Sequence, residues 1–240
     1  MHTNSGTLLG GRVRHDQPVS GHRTGLEPVL LAASIPARPG ERVLEGGTGS
    51  GAGLLCLAAR LPAIGGLGIE RDAAMADLAR RNVVENGFNG LTIVTLDLET
   101  WSPDGLFDHA FANPPWHEAA GTASPVAPRE AAKRAHAGLL TAWASRLAAG
   151  LRPRGTLTLV VAASHLPACL AAITAAGCGS PAVFPFWPKV GRPARLVLVR
   201  GVRGGRGPAR LLPGLVLHDP AGGFSAAAQA VLRDGAGLEL

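Results

Sequence analysis

Six residues, Gly46-Gly47-Thr48-Gly49-Ser50-Gly51, separate a short strand-like run (Arg42-Val43-Leu44-Glu45) from an apolar helical stretch between Ala52 and Arg60. A strand that turns into a helix on glycines leaves few folds open. Glycines at 47, 49 and 51 let a ligand approach the backbone closely. The alternation then continues. Gly66–Glu70 reads as a second strand, and residues 73–86 place Met75, Leu78, Ala79 and Val83 on one helical face closed by Asn86-Gly87. Leu91–Leu96 is a third strand with Asp97 at its end, and Phe107–Ala112 a fourth. A helix around 138–149 (Leu139, Leu140, Trp143, Leu147) precedes a fifth strand, Thr156–Ala162. Strands alternating with helices predict an α/β, Rossmann-like fold with a mainly parallel sheet covered on both faces.

Both ends of the chain break this rhythm. Residues 1–20 are polar and read as irregular, and Thr24-Gly25-Leu26-Glu27 has the form of a capping box opening a helix through Leu30, Leu31 and Ala33. Val183–Phe186 and Ala194–Val199 lie too close together for a helical crossover, which predicts an antiparallel pair at the sheet edge. Leu211–His218 adds a candidate extra strand, and Gly201–Gly207 reads as a mobile loop. The whole, 1–240, is expected to be a single domain: an N-terminal cap segment (1–36), a catalytic core (37–200) and a basic loop with a C-terminal extension (201–240).

Composition excludes several classes. No apolar run reaches the ~20 residues of a membrane span, and the first residues lack the apolar stretch of a secretory signal. Cys56, Cys169 and Cys178 form no pair-spaced motif, so the expectation is a reduced, cytoplasmic protein with buried thiols and no metal. The net charge is +6, and seven basic residues with no acid fall between Lys189 and Arg210. That stretch predicts a local surface for phosphate contacts, with Arg192, Arg195, Arg203 and Arg206 as the candidate nucleic-acid-binding residues. Arg129, Lys133 and Arg134 are further candidates near the substrate.

Gly47-x-Gly49-x-x-Ala52, with Glu70 about 20 residues on, also satisfies the dinucleotide fingerprint, so the turn alone does not separate NAD from other nucleotides. Three acids favour S-adenosylmethionine. Glu45 ends the first strand, where a carboxylate suits a cationic ligand and repels a pyrophosphate. Glu70 and Asp97 end the next two strands, which suits ribose hydroxyls and an adenine amino group on the edge where such sheets bind ligands. The expected cofactor-binding set is therefore Glu45, Gly47, Gly49, Gly51, Glu70 and Asp97.

The fourth strand runs into Asn113-Pro114-Pro115-Trp116. An Asn is neither a strong base nor a nucleophile, but its side-chain oxygen accepts hydrogen bonds from an amino group. Two prolines stiffen the loop, and the aromatic offers a flat face to a planar substrate. His117 beside it reads better as a solvated loop histidine than as a general base.

With these residues the chain resembles the class I S-adenosylmethionine-dependent methyltransferases, and more narrowly the bacterial tRNA (adenine-N6)-methyltransferases. The likeness rests on Gly10-Gly11-Arg12-Val13 with Gln17-Pro18, Gly21-His22-Arg23-Thr24-Gly25, the Glu45–Gly51 turn, Asn113–Trp116, Gly191-Arg192-Pro193, Arg210–Pro213 and Gly222-Gly223-Phe224. It implies a seven-stranded sheet with an antiparallel edge pair, and Arg23 and Gly25 closing the methionine end of the cofactor. It also implies Asn113, Pro114, Pro115 and Trp116 as the catalytic loop, acting on an adenine N6 amine in tRNA. Two positions depart from the family pattern: Glu45 stands where Asp is usual, and Trp116 where Tyr or Phe is commoner. The same loop serves enzymes that methylate ribosomal RNA amines or protein glutamine amides, so those substrates stay open. A NAD-dependent oxidoreductase would share the glycine turn but leave Glu45 and the Asn-Pro-Pro-Trp loop unexplained.

Overall fold

The computed structural model describes residues 2–19, 24–115 and 126–240, and side chains outside 126–137. Its first elements, β1 (Thr3–Leu8) and β2 (Val13–Pro18), pair antiparallel as a hairpin. Then follow α1 (Glu27–Ser34), β3 (Arg42–Gly46), α2 (Ala52–Arg60), β4 (Gly65–Glu70), α3 (Ala73–Glu85), β5 (Leu91–Thr95) and β6 (Phe107–Ala112). The second half holds α4 (Val126–Ala149), β7 (Leu151–Ala162), α5 (Leu166–Ala175), β8 (Cys178–Trp187) and β9 (Leu196–Arg203). It closes with β10 (Arg210–Leu211), β11 (Leu215–Val216) and α6 (Ala226–Leu232).

The large sheet runs in the order β10-β8-β9-β7-β6-β3-β4-β5, with β11 also on β8. Seven strands are long, and two two-residue strands extend the edge, as the expected Leu211–His218 addition shrinks to β10 and β11. β3 to β7 run parallel, while β9 is antiparallel to both β7 and β8. The predicted antiparallel pair is therefore present, and β10 and β11 lie outside it.

Strand periodicity explains the two-faced core. Val43, Phe111, Val160 and Leu198 point to the side covered by α1, α2, α3 and α6. Their neighbours Leu44, Ala110, Ala112, Leu159, Val161 and Val197 point to α4 and α5. Each central strand is apolar on both faces, as a sheet sandwiched between helix layers requires.

Three expectations change. Residues 1–20 are not irregular: the hairpin is polar because β1 is solvent-exposed, and it is anchored by Leu9 and Val13. The capping box does not form. α1 begins at Glu27 after Leu26, with no side-chain cap bond, and the Thr24 N–H donates instead to Gln17. The stretch Gly201–Gly207 is not a free loop either, since Gly201 to Arg203 belong to β9 and the following glycines are tied to β8.

The hairpin is held to α3 by two carboxamides one helical turn apart. Asn82 accepts from the Asp16 N–H at 3.0 Å and donates to the Asp16 carbonyl at 2.9 Å. Asn86 does the same for Arg14, at 2.9 and 2.7 Å. The (i, i+4) spacing on a helix approximates the two-residue repeat of a strand, so the pair substitutes for a neighbouring strand along β2. Asn82 also donates to the Ser50 carbonyl at 2.9 Å. Asn82→Ala leaves buried groups on both β2 and the glycine turn without partners, and is expected to cost about 1–3 kcal/mol in urea denaturation while removing hydrogen-exchange protection at the Asp16 amide.

Candidate active site at the carboxyl edge of the sheet

Parallel register brings the predicted residues together. Gly46 pairs with Ile69 on one side and with Ala112 on the other, and Glu70 pairs with Thr95. Gly47 and Asn113 therefore each follow the last paired residue of their strand, and Glu70 is the last residue of β4, one past the pairing of Ile69 with Gly46. The chain leaves β3 in opposite directions on either side, towards β4 and towards β6, so this edge is the topological switch point where open α/β sheets bind ligands.

The turn itself is backbone folded back on side chains. Gly47, Gly49 and Gly51 all take left-handed φ, +65°, +57° and +91°. At Gly47 a Cβ would also come within 2.5 Å of the Trp143 ring, so the position has neither the conformation nor the space for another residue. Glu70 accepts from the Gly49 N–H and from the Asp72 N–H, each at 2.9 Å. His15 Nε2 lies 2.8 Å from Ser50 Oγ, both buried, so the hairpin touches the turn directly.

Glu45 is 4% exposed. Its Oε2 accepts from the Thr48 hydroxyl and from the Leu54 N–H. Gly51, at the N-cap of α2, has no side chain to offer, so the longer Glu reaches the first turn of that helix. Gly53 makes room for it: a Cβ there would collide with the Glu45 carboxylate. Burial pushes the Glu45 carboxyl up to about 8, with Glu70 adding repulsion and the Thr48 and Leu54 bonds opposing.

Beyond β5, Asp97 is exposed and accepts from the Glu99 N–H at 2.9 Å. Asn113 is half-buried, Pro114 buried and Pro115 exposed. Trp116, Arg23, His117 and His22 lie outside the described residues, as do the side chains of Arg129, Lys133 and Arg134. Gly25 and Thr24 line a groove of about 560 Å³ between the hairpin tip, the start of α1 and Phe224 and Arg233.

The basic stretch is divided by the reversal of β9. Arg192 and Arg195 are exposed just before β9, on the same edge as Asn113, because Leu196 pairs with Ala162 at the carboxyl end of β7. Arg203 and Arg206 lie at its far end, on the amino edge. Arg203 donates to the Ala176 carbonyl at 2.6 Å and so closes the C-terminus of α5. Arg200 does not belong to the surface at all: it is buried, donates to the Ser34 carbonyl and to Thr158 Oγ1, and burial lowers its pKa to about 10. Sequence reading missed the hairpin brace through His15, Asn82 and Asn86. The (i, i+4) carboxamides on an otherwise amphipathic helix were its only signal.

The donor set suits S-adenosylmethionine. Each Glu70 oxygen holds one N–H, leaving acceptor capacity for vicinal hydroxyls. Asp97 is exposed with acceptor capacity to spare, and the glycine turn offers side-chain-free backbone between the two acids.

Comparison with known proteins gives the same reading. Residues 25–171 match the methyltransferase small domain family. The tRNA1(Val) (adenine(37)-N6)-methyltransferases of Salmonella typhi and Salmonella enteritidis are each 34% identical over 110 residues, 44% of this chain. The chain spans 44% of the length of these curated relatives. A protein described as a predicted O-methyltransferase from Agrobacterium tumefaciens superposes with a TM-score of 0.73 at 23% identity, over 89% of this chain and 99% of that one. An S-adenosylmethionine-dependent O-methyltransferase from Thermotoga maritima gives a TM-score of 0.54 at 18% identity, over 75% and 66%. These structures share the fold.

Glu45 binds its proton more tightly folded than unfolded, so its contribution to stability is present below its ordinary value near 4.5 and is lost as pH rises through about 8. The cofactor-free protein should melt at progressively lower temperature from about pH 5 to pH 8 and level off above that. Glu45→Gln should flatten that decline, as read by differential scanning fluorimetry across the pH series.

Proposed function

The chain belongs to the methyltransferase small-domain family, whose cofactor is S-adenosylmethionine, and we propose that it methylates the exocyclic N6 amine of an adenine in tRNA. One observation carries the reading. The Asn113-Pro114-Pro115 segment leaves β6 one residue past the pairing of Ala112 with Gly46, beside the turn expected to hold the cofactor. An amine held by the first would face a group held by the second.

The cofactor supplies an electrophilic methyl. Glu70 is assigned to its ribose hydroxyls, Asp97 to its adenine amino group, and Gly47 to Gly51 to close backbone approach. Glu45 supports that turn from below and adds negative character near a cationic ligand. Arg23 and Gly25 are assigned to the methionine end.

Adenine N6 is a poor nucleophile because its lone pair is delocalised into the ring. The Asn113 side-chain oxygen and the Pro114 carbonyl accept its two N–H bonds, which localises the lone pair and aims it. Pro114 and Pro115 fix the backbone that presents these acceptors. Trp116 stacks on the base, which must leave its own stack to enter the site. Catalysis is then mostly orientation and electrostatics. No strong base is needed beforehand, since the amine becomes acidic as it gains the methyl.

Arg192 and Arg195 share the edge of the sheet with this loop and are assigned to RNA phosphates, positioning the substrate without reading its sequence. The named activity of the Salmonella relatives points to the adenine beside the anticodon as the target. Ribosomal RNA amines and protein glutamine are the competing substrates for the same loop. The cytoplasm, where such substrates reside, is the proposed location. No described helix is long and apolar enough to cross a membrane. No group of three His, Cys, Asp or Glu among the described residues is placed to hold a metal.

Incubation with S-adenosylmethionine and separated tRNA, ribosomal RNA or release factor, followed by digestion and mass spectrometry, tests the substrate directly. N6-methyladenosine confined to tRNA supports the reading, and methylglutamine or modified ribosomal RNA overturns it. Asn113→Ala should lower kcat by at least about 100-fold, comparable to removing a preorganised polar contact at a reacting centre. Its affinity for S-adenosylhomocysteine by calorimetry should stay within about twofold. Parallel loss of both would contradict the assigned role.

A further inference from the structure

Between Glu130 and Asp219 the chain contains no acidic residue. That stretch supplies β7, α5, β8, β9, β10 and β11, so one flank of the sheet is acid-free apart from acids contributed by neighbouring elements. The positive charge is therefore polarised across the sheet. On the amino edge, the Arg152 guanidinium is taken up by Asp108 at 2.6 Å, while Arg154 and Arg206 at that edge, and Arg210 on β10, are exposed and have no ion-pair partner among the described residues.

Two of these arginines are held on rigid backbone. Arg154 takes a left-handed φ of +67°, and Ser180 one of +53°. With Leu9 they are the only non-glycine residues with positive φ among those described. Both sit at this edge: Arg154 is two residues beyond the last β7–β9 pair, Thr156 with Val202, and Ser180 occupies the irregularity in β8 opposite β9. Ser180 Oγ accepts from the Gly207 N–H at 2.7 Å, Gly204 N donates to the Gly177 carbonyl at 2.9 Å, and Gly205 lies so close to Gly179 that a Cβ on the latter would strike its carbonyl. The loop that carries Arg206 is thereby pinned, and backbone strain of this kind persists where surrounding structure over-determines it.

Position completes the pattern. β9 spans eight residues, about 23 Å at ~3.3 Å per residue, from the Arg192–Arg195 edge to Arg203. Arg210, on the outermost strand β10, pairs with Ala182 part-way along that length. Arg192, Arg195, Arg210 and Arg206 thus mark a path down the outer flank of the sheet from the active-site edge to the opposite one, and Arg154 on β7 continues it along that opposite edge. A loop docked at Asn113 cannot reach the far end of this path, whereas a helical arm continuing from it can.

We propose that Arg154, Arg206 and Arg210 form a second phosphate-binding track that takes the backbone of a folded RNA arm, so that the protein selects an intact, structured RNA over an isolated loop. The proposal rests on the tRNA reading above and deepens it. Three phosphate contacts added to those at the active-site edge act through charge and position, without sequence information.

The test uses an in-vitro transcript of a valine tRNA and a linear oligonucleotide of its anticodon-loop sequence without the stem, each titrated against full-length protein over a salt series. Arg154→Ala/Arg206→Ala/Arg210→Ala should weaken binding of the intact tRNA at least about tenfold and reduce its log–log salt slope by about 2–3. Loop-oligonucleotide affinity and S-adenosylhomocysteine binding should not change, and the corresponding triple Lys variant should restore most of the loss. Arg154→Gly relieves the left-handed strain, and should raise Tm by about 2 °C while weakening intact tRNA. An unaltered tRNA affinity and slope in the triple Ala variant, or equal weakening of both RNAs, overturns the track and leaves the catalytic reading standing. Wild-type protein that binds cofactor yet neither binds nor methylates either RNA overturns the tRNA reading, and the track with it.

Discussion

The turn from Gly47 to Gly51 is polar backbone folded into a crowded strand–helix junction, and it exists because side chains from separate elements satisfy it. Glu70 on β4 holds the Gly49 amide. Asn82 on α3 holds the Ser50 carbonyl, and His15 on β2 meets the Ser50 hydroxyl. Glu45 on β3 takes the Thr48 hydroxyl and the Leu54 amide in the first turn of α2. Buried backbone groups without partners are costly, so this small region ties the hairpin, two sheet strands and two helices to one geometry. A site built on such a turn is preorganised because the fold leaves it no alternative.

Glu45 shows how a substitution within a family pattern is absorbed. A longer carboxylate at the end of β3 needs space, and Gly53 supplies it on the facing turn of α2. The result is an acid buried against helix amides, raised to about 8 by desolvation. Its charge is thus conditional on what lies nearby.

The reversal of β9 organises the opposite flank. It sends Arg195 to the active-site edge and Arg203 to the other, though the two are only eight positions apart in sequence. Clustering along the chain gave a single basic patch, while the sheet produces two ends and an edge strand between them. Arg200 and Arg203 leave that surface for structural work, one buried under Ser34 and Thr158, the other closing α5. What remains exposed is a line rather than a cluster.

Much of the core was legible in the sequence, because short apolar runs between glycine turns and helical stripes reflect burial directly. The Gly46–Gly51 turn, the acids at 45, 70 and 97, and the Asn113-Pro114-Pro115 loop were placed at strand ends by local pattern alone. The hairpin was not, since β1 is exposed along nearly its whole length and carries no hydrophobic period, while its partner β2 is held by carboxamides some 66 to 72 residues away. The capping box failed because Gln17 competes for the Thr24 amide. The GVRGGRG stretch looked loose because glycine usually marks freedom, but here it permits backbone to pack on backbone. By itself the sequence determined the strand–turn–helix repeat and the chemical types at the strand ends, because these depend on residues close together in the chain. Only tertiary structure decided which strand ends meet, which arginines reach solvent and what holds the glycine turn, because each of these depends on strand direction and on partners distant in sequence.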